Sequence, residues 1–298
     1  MEQKFVLSCC STADVSYDHM TRRQISVLHY TYAVDGVEYE DDMGRDGASL
    51  PRFYEWIRQG KQPSTSQISV GRYMEYFAEL LKKGDILHLT FSSGMTGGVN
   101  NAFLAAQEVQ ENYPEHKIYL VDSLCGSSGY GMFADLVADL RDGGATAEEA
   151  YAWAMENRGK VHHHFFTGDM SYFRRTGRVS GSAAAVATVL NICPVMCLDD
   201  KGAIKAYGKV RGKKAAVKAL ADEMVAHAEN GTDYAGPCVI SHSMCPEDAQ
   251  AMADAVEERF PHLKGKIAVN VIGPVVGSHT GIGTVALFFM GDERQAVE

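Results

Sequence analysis

The stretch Asp85-Ile86-Leu87-His88-Leu89-Thr90-Phe91-Ser92-Ser93-Gly94-Met95-Thr96-Gly97-Gly98 joins an apolar run to a loop rich in hydroxyl groups and glycine. An alanine-rich segment of about residues 99–112 follows this loop and has the composition of a helix. A strand that passes through a short loop into a helix is the repeating unit of a parallel sheet covered by helices. This stretch therefore predicts an α/β fold.

The same alternation of strands and helices continues on both sides of that stretch up to about residue 160, whereas hairpins mixed with helices follow His162. A length of 298 residues is about twice that of a typical single domain. We therefore predict two domains. Residues 1–160 form a Rossmann-like parallel sheet with helices and carry the binding loops, and residues 161–298 form an α/β domain with a mixed sheet.

Several local patterns give more detailed expectations. Residues 27–33 read as one strand joined to residues 37–39 through an Asp-Gly turn, and residues 199–202 read as the turn of a second hairpin. A small-residue helix is expected over residues 181–190. The closing glycine-rich segment, residues 273–283, is expected to be a loop.

Composition excludes some classes of protein. Apolar residues make up 46% and charged residues 22% of the chain, which is typical of a folded protein. The formal net charge of −10 argues against a general nucleic-acid binder, because phosphate contacts require clustered Lys and Arg. The seven cysteines contain no CxxC pair, and no signal peptide or bilayer-length apolar stretch occurs. We expect a soluble cytoplasmic protein without stable membrane insertion.

Three loops place polar groups at high density: residues 64–66, residues 92–96, and residues 277–283 with His279. The second loop lies between a strand and a helix, where open α/β sheets bind ligands and where helix N-termini favour anions. Any one of these loops alone is better explained by helix capping and tight turns. Together they could surround a carboxylate or a phosphate.

Other motifs are weaker. His162-His163-His164 invites a zinc interpretation, but side chains alternate along a strand and no acidic residue lies nearby at metal spacing, so no metal site is predicted. No nucleophile elbow surrounds Ser93, and neither a P-loop nor a dinucleotide fingerprint is present. The basic residues from Arg174 to Arg178 and from Lys209 to Lys214 form either a solvated face or a docking surface for an acidic partner.

Taken in order, the motifs resemble the DegV family of bacterial fatty-acid-binding proteins, which includes the acyl-binding subunits of fatty acid kinase. The resemblance covers nearly the whole chain. The segments that carry it are Ser11-Thr12-Ala13-Asp14, Thr65-Ser66-Gln67, Ser92-Ser93-Gly94-Met95, Gly177-Arg178-Val179-Ser180, Lys209-Val210-Arg211-Gly212-Lys213-Lys214, Ile272-Gly273-Pro274 and His279-Thr280-Gly281.

The resemblance implies a long-chain fatty acid, such as palmitate, stearate or oleate, held between two α/β domains, with no further cofactor. It also implies a partner, an ATP-dependent kinase subunit that forms an acyl phosphate on the presented carboxyl group. The residues implied for the carboxylate are Thr65, Ser93 and His279, with Ser92, Ser66 and Thr280 as neighbours. The residues implied for the partner are Arg174, Arg178 and Arg211.

Physical chemistry is consistent with a carrier of this kind. Burying a sixteen-carbon chain at roughly 0.8 kcal/mol per methylene is worth on the order of 10 kcal/mol before the cost of ordering the ligand. The tail would then set affinity while hydroxyl donors select the head group, and no full counter-charge is required. Two alternatives remain: a lipid-responsive regulatory protein, and an acyl hydrolase with Ser93 or Thr65 as nucleophile and His279 as base.

Overall fold

The computed structural model describes residues 4–179 and 191–297. These residues form an α/β structure with a four-stranded, a six-stranded and a three-stranded sheet. The strands are β1 Val6–Cys10, β2 Ser26–Leu28, β3 Thr31–Val34, β4 Val37–Glu40, β5 Ser64–Thr65, β6 Ile86–Thr90, β7 Ile118–Asp122, β8 Val161–Thr167, β9 Ile192–Leu198, β10 Ile204–Arg211, β11 Cys238–His242, β12 Ala268–Val271 and β13 Thr284–Met290. The helices are α1 Tyr17–Arg22, α2 Ser49–Arg58, α3 Val70–Leu81, α4 Gly98–Gln110, α5 Ser127–Asp142, α6 Ala147–Asn157, α7 Ser171–Arg175, α8 Lys213–His227, α9 Pro246–Arg259 and α10 Pro274–Thr280.

The four-stranded sheet is parallel throughout, in the order β2-β1-β6-β7. Every residue of β6 is buried because helices cover both faces, which is why its sequence is a continuous run of mostly apolar residues. Ser69 caps α3 and Thr146 forms a capping box with Glu149 at the start of α6, as their sequences indicate. The predicted parallel sheet is confirmed.

The six-stranded sheet is mixed, in the order β10-β9-β8-β13-β11-β12. Only β11 and β12 run parallel, and the other neighbours are antiparallel. The predicted hairpin through residues 199–202 joins β9 to β10. The mixed sheet of the second half is therefore confirmed, whereas the helix expected over residues 181–190 lies outside the described residues.

The expectation of one strand over residues 27–33 is wrong. The chain leaves the parallel sheet after Leu28 and enters the three-stranded sheet at Thr31, where it pairs with β4 and β5. The change occurs at Tyr30, whose backbone N–H donates to the Ser11 hydroxyl and whose carbonyl accepts from the Asp41 N–H. The hydrogen bonds of the Tyr30 backbone with Ser11 and Asp41 thus interrupt a run of residues that is apolar enough to form one strand.

The expectation of a loop over residues 273–283 is also wrong in its centre, because Pro274–Thr280 is helical. Proline is favoured at the first helical position, and Gly281 ends the helix at φ 67°, which glycine adopts without strain. A Cβ on Gly277 would come within 2.9 Å of the Phe53 ring and the Tyr54 hydroxyl. The glycines of this segment therefore allow a helix to pack closely against α2, and they do not indicate an extended loop.

The two larger sheets share one apolar core. A single buried cluster contains Leu7 and Val121 of the parallel sheet together with Phe165 and Phe288 of the mixed sheet. β8 begins at Val161, so a division near residue 160 falls between the sheets, and the domain boundary stays a proposal. Within the residues that the structure describes, no helix is both long and apolar enough to span a bilayer.

The Asp14 side chain joins three distant parts of the chain. One carboxyl oxygen accepts from the Gly273 N–H at 2.9 Å, and the other accepts from the Ser127 hydroxyl at the start of α5. Burial raises the pKa of Asp14 from 3.8 to about 7, although both hydrogen bonds act in the opposite direction. The carboxyl group is therefore largely protonated below neutral pH in the folded protein and ionised in the unfolded one.

This difference predicts a pH effect on stability that Asp14→Asn removes. Between about pH 4 and 7 the folded state binds more protons than the unfolded state, so Asp14 makes the free energy of unfolding fall as pH rises. Urea unfolding from pH 5.5 to 7 should show a decrease in the free energy of unfolding that is about 1.6 kcal/mol larger in the unsubstituted protein than in the variant. Parallel pH profiles for the two proteins would contradict this role of Asp14.

Candidate functional site

A cavity of about 110 Å³ opens where the small sheet, α10 and the loop after β6 meet. A second cavity of about 70 Å³ adjoins it between the start of α5 and the mixed sheet, and the two share several lining residues. The shared residues are Phe91, Met95, Phe173, Ile204, Val276 and Thr280. Thr65, Ser66 and His279 line only the first cavity.

Thr65 and His279 meet at this polar end although 214 residues separate them. Thr65 lies on β5 opposite Tyr32, and His279 lies near the end of α10, which packs against β3 and β5. The Thr65 Oγ1 and His279 Nε2 atoms are 2.8 Å apart. Two of the three polar loops found in the sequence therefore form one site.

Arg175 holds the two segments together. Its guanidinium, at the end of α7, donates to the Pro63 carbonyl before β5 and to the Ser278 carbonyl of α10, each at 3.1 Å. The same group lies over the Tyr172 ring, with its carbon 5.1 Å from the ring centre. Sequence reasoning placed Arg175 in a basic cluster but missed this role, since no local pattern shows which distant carbonyls it reaches.

The His279 imidazole is neutral at physiological pH. Burial, together with the positive charges of Arg178 and Arg175, lowers the pKa of His279 from 6.5 to about 4. Arg178 is exposed and lines the same cavity. The site thus combines a hydroxyl, a neutral imidazole and a guanidinium, which together suit an anion. The Arg178 guanidinium is a counter-charge that the sequence analysis did not require for a bound carboxylate.

The tautomer of His279 decides what Thr65 can do. His279 Nδ1 is buried, with no hydrogen-bond partner among the described residues. An unpaired buried N–H is rarer than an unpaired acceptor, so the proton is favoured on Nε2, where it donates to Thr65 Oγ1. The Thr65 O–H is then left to donate to a ligand in the cavity.

The other predicted head-group residues differ in position. Ser66 and Thr280 line the cavity with Thr65 and His279. The Ser92 hydroxyl is buried and donates to the Gly202 carbonyl at 2.8 Å, which fixes its loop to the β9–β10 hairpin. Ser93 is exposed, and its backbone N–H donates to Asp122. Neither serine belongs to the described cavity lining, although Thr96 of the same loop does.

The three arginines predicted to face a partner also separate. Arg174 and Arg211 are exposed, the former on α7 and the latter at the end of β10. Arg178 lines the cavity and donates to the Thr176 carbonyl. Arg178 is thus available to a bound anion, and Ser180 of the same motif lies outside the described residues.

Fold and site together define a class of protein: an α/β protein whose two sheets enclose an apolar cavity with an anion-suited end. A family model described as "Uncharacterised protein, DegV family" matches residues 9–292. A DegV domain-containing protein of Clostridium perfringens is 35% identical over 295 residues, which is 98% of this chain and 99% of that protein. The chain belongs to the DegV family.

Solved structures agree with this assignment. A DegV family protein from Thermus thermophilus, described as fatty acid binding, has a TM-score of 0.84 at 26% identity and covers 97% of this chain and 100% of its own. A DegV lipid binding protein from Thermotoga maritima has a TM-score of 0.82 at 25% identity and covers 98% and 100%. The resemblance inferred from the motifs is confirmed at the level of family and fold.

The electrostatic description of the site predicts the ionisation of His279. NMR titration of the imidazole should give a pKa of about 4, and Arg178→Gln should raise it toward 6.5, because a nearby positive charge then no longer opposes protonation. Arg174→Gln is the matched control and should leave the pKa unchanged. A His279 pKa near 6.5 in the unsubstituted protein would contradict this account.

Proposed function

We propose that this protein binds a long-chain fatty acid in the two adjoining cavities and presents its carboxyl group to an ATP-dependent kinase subunit. The observation that carries the proposal is the Thr65–His279 pair at the polar end of two adjoining cavities whose inner part is lined mainly by apolar residues. Ser66, Gln67 and Arg178 are exposed at that end, so a head group held there stays accessible from solvent.

The head-group chemistry supports a carboxylate. The Thr65 hydroxyl donates one hydrogen bond, and Arg178 supplies a positive charge close to His279. Hydrogen bonds to a charged group contribute roughly 1.5–3 kcal/mol each. Thr65 and His279 form the centre of the proposed site with Ser66 and Thr280 beside them. Ser93 and Ser92 stay predicted contacts for which the geometry adds no support.

The apolar cavity supports an acyl tail. Phe165, Leu198 and Phe288 are among the buried residues that line its inner part. Together the cavities hold less than the roughly 300–1,000 Å³ of a typical ligand pocket, so a long chain must displace side chains at the boundary between them. Met95 belongs to both linings, and methionine adapts its shape easily. The Thermus thermophilus relative, described as fatty acid binding, supports the same ligand class.

A carrier fits the site better than an enzyme. Thr65 and His279 are at the distance of a nucleophile and its base, which favours the acyl hydrolase alternative. However, a histidine with a pKa of about 4 is a weak base at pH 7, and no described carboxylate orients its Nδ1 atom. In the carrier, the partner supplies the phosphoryl-transfer chemistry, and this chain only positions the carboxyl group.

Substitution of Thr65 tests the head-group site. Thr65→Ala removes the donor and should weaken oleate binding roughly 10- to 100-fold, whereas Thr65→Ser keeps the hydroxyl and should bind nearly as tightly. Displacement of a fluorescent fatty acid measures both affinities, and mass spectrometry of the gently denatured protein identifies any co-purified acid. Absence of a co-purified acid together with no uptake of oleate or palmitate would refute fatty acid binding.

The kinase step needs a separate test. Arg174→Glu and Arg211→Glu should each lower acyl-phosphate formation by the kinase subunit of the same organism roughly tenfold, because reversed charges slow docking of an acidic partner. Their affinity for oleate should not change, and Arg58→Glu on α2 is the control for a charge reversal elsewhere on the surface. Oleate binding without any acyl phosphate would leave the lipid-responsive regulator as the better proposal. Ester hydrolysis by this chain alone, abolished in Thr65→Ala, would favour the hydrolase.

A further inference from the structure

The two faces of β8 have different environments. His163 and Phe165 point to the apolar cavity, and the alternation of side chains therefore turns His162 and His164 to the opposite face. There a separate cavity of about 250 Å³ lies between the sheet, α8 and the C-terminal segment. His162 and His164 both line this third cavity, which the proposed lipid site does not use.

Two imidazoles and a carboxylate converge at this cavity from three parts of the chain. His162 Nε2 lies 3.1 Å from Asp292 Oδ1, and His227 Nδ1 lies 3.1 Å from the same oxygen. The three ligand atoms are all within 4.8 Å of one another. His227 is the last residue of α8 and Asp292 follows β13, so no local pattern indicates that these residues meet His162.

We propose that His162, His227 and Asp292 bind a divalent transition-metal ion of the zinc type. Two histidine nitrogens and one carboxylate oxygen form a ligand set typical of Zn²⁺, and a tetrahedral ion with ligands at about 2.0 Å requires ligand separations of about 3.3 Å. The two 3.1 Å separations are close to that requirement. Water would complete the coordination.

A second layer of contacts orients both imidazoles. His227 Nε2 lies 3.6 Å from Glu223 Oε2, so the nitrogen opposite the proposed metal position has a carboxylate partner. His162 Nδ1 lies 3.4 Å from His164 Nε2, and His164 Nδ1 in turn lies 3.3 Å from the Tyr207 hydroxyl. Metal-binding histidines usually have such partners, which fix the tautomer. His162 Nε2 also lies 3.0 Å from the Asp292 carbonyl oxygen, and coordination of an ion replaces this contact.

The charges around the cavity favour a cation. The carboxylates of Asp292, Glu223 and Glu293 outnumber the guanidinium of Arg294. Arg294 also directs Nε and Nη2 to backbone carbonyls of Gly159 and Leu124. Divalent binding would therefore neutralise a local excess of negative charge.

A shared ion requires a small rearrangement. The His162 and His227 rings are nearly parallel, with centroids 5.1 Å apart and an angle of 20° between their planes. A metal ion lies close to the plane of each imidazole that binds it, so the His227 ring must turn toward Asp292. The exposed fractions of 35% for His227 and 62% for Asp292 leave room for this movement.

Titration of the EDTA-treated full chain with Zn²⁺ by calorimetry tests the proposal. One ion should bind per chain, and Asp292→Asn and His227→Ala should each weaken binding at least tenfold. His19→Ala is the matched control, because His19 and Asp135 form another His–Asp pair at 2.8 Å that has no third ligand among the described residues. The affinity of this variant for Zn²⁺ should match that of the unsubstituted protein. Melting temperatures in EDTA verify that each variant is folded.

Co²⁺ absorption gives an independent measurement of the ligand set. Nitrogen and oxygen ligands should give visible ligand-field bands without thiolate charge transfer, although Cys197 lines the same cavity. Failure to bind Zn²⁺, equal affinity in Asp292→Asn and His227→Ala, or a thiolate band would each overturn the proposal. In the first two cases the three residues would be a hydrogen-bonded cluster only.

Discussion

The alternation of side chains along β8 organises the molecule. β8 lies inside the mixed sheet and is buried along its whole length, so each of its residues must pack into one of two different environments. His163 and Phe165 form part of the wall of the apolar cavity, while His162 and His164 line the cavity beneath α8. A shift of one residue in register would exchange these two environments, and pairing with both β13 and β9 prevents it.

The polar end of the apolar cavity depends on contacts between segments that are far apart in the chain. Arg175 binds the backbone on both sides of the Thr65–His279 pair, and Asp14 accepts from the residue that precedes α10. These contacts use backbone groups as partners and so fix segment positions independently of neighbouring side chains. Thr65 and His279 therefore meet at hydrogen-bonding distance although one lies on a two-residue strand and the other on a seven-residue helix.

Patterns local in sequence predicted much of the fold. The strand–loop–helix unit around β6, the capping box at Thr146 and the hairpin turn at residues 199–202 are all determined by neighbouring residues. Long-range contacts explain what local patterns missed: the break at Tyr30 depends on Ser11, and helix formation after Gly273 depends on packing against α2. The same limit applies to the site. Composition indicates that Thr65 and His279 lie in polar loops, but only the fold shows that the Ser92 hydroxyl already donates to a carbonyl of the β9–β10 hairpin.

In the proposed function, the tail and the head of the ligand have different tasks. Apolar burial grows with each methylene and can supply most of the affinity. The head group can therefore be held by few contacts and remain open on the side of Arg178, where a partner must reach it. A neutral His279 suits this arrangement. An imidazolium beside Arg178 and Arg175 would add a third positive charge and would bind the carboxylate of the ligand more strongly. A carboxylate that must react with a phosphoryl group benefits from positioning without full neutralisation, since strong pairing would lower its nucleophilicity.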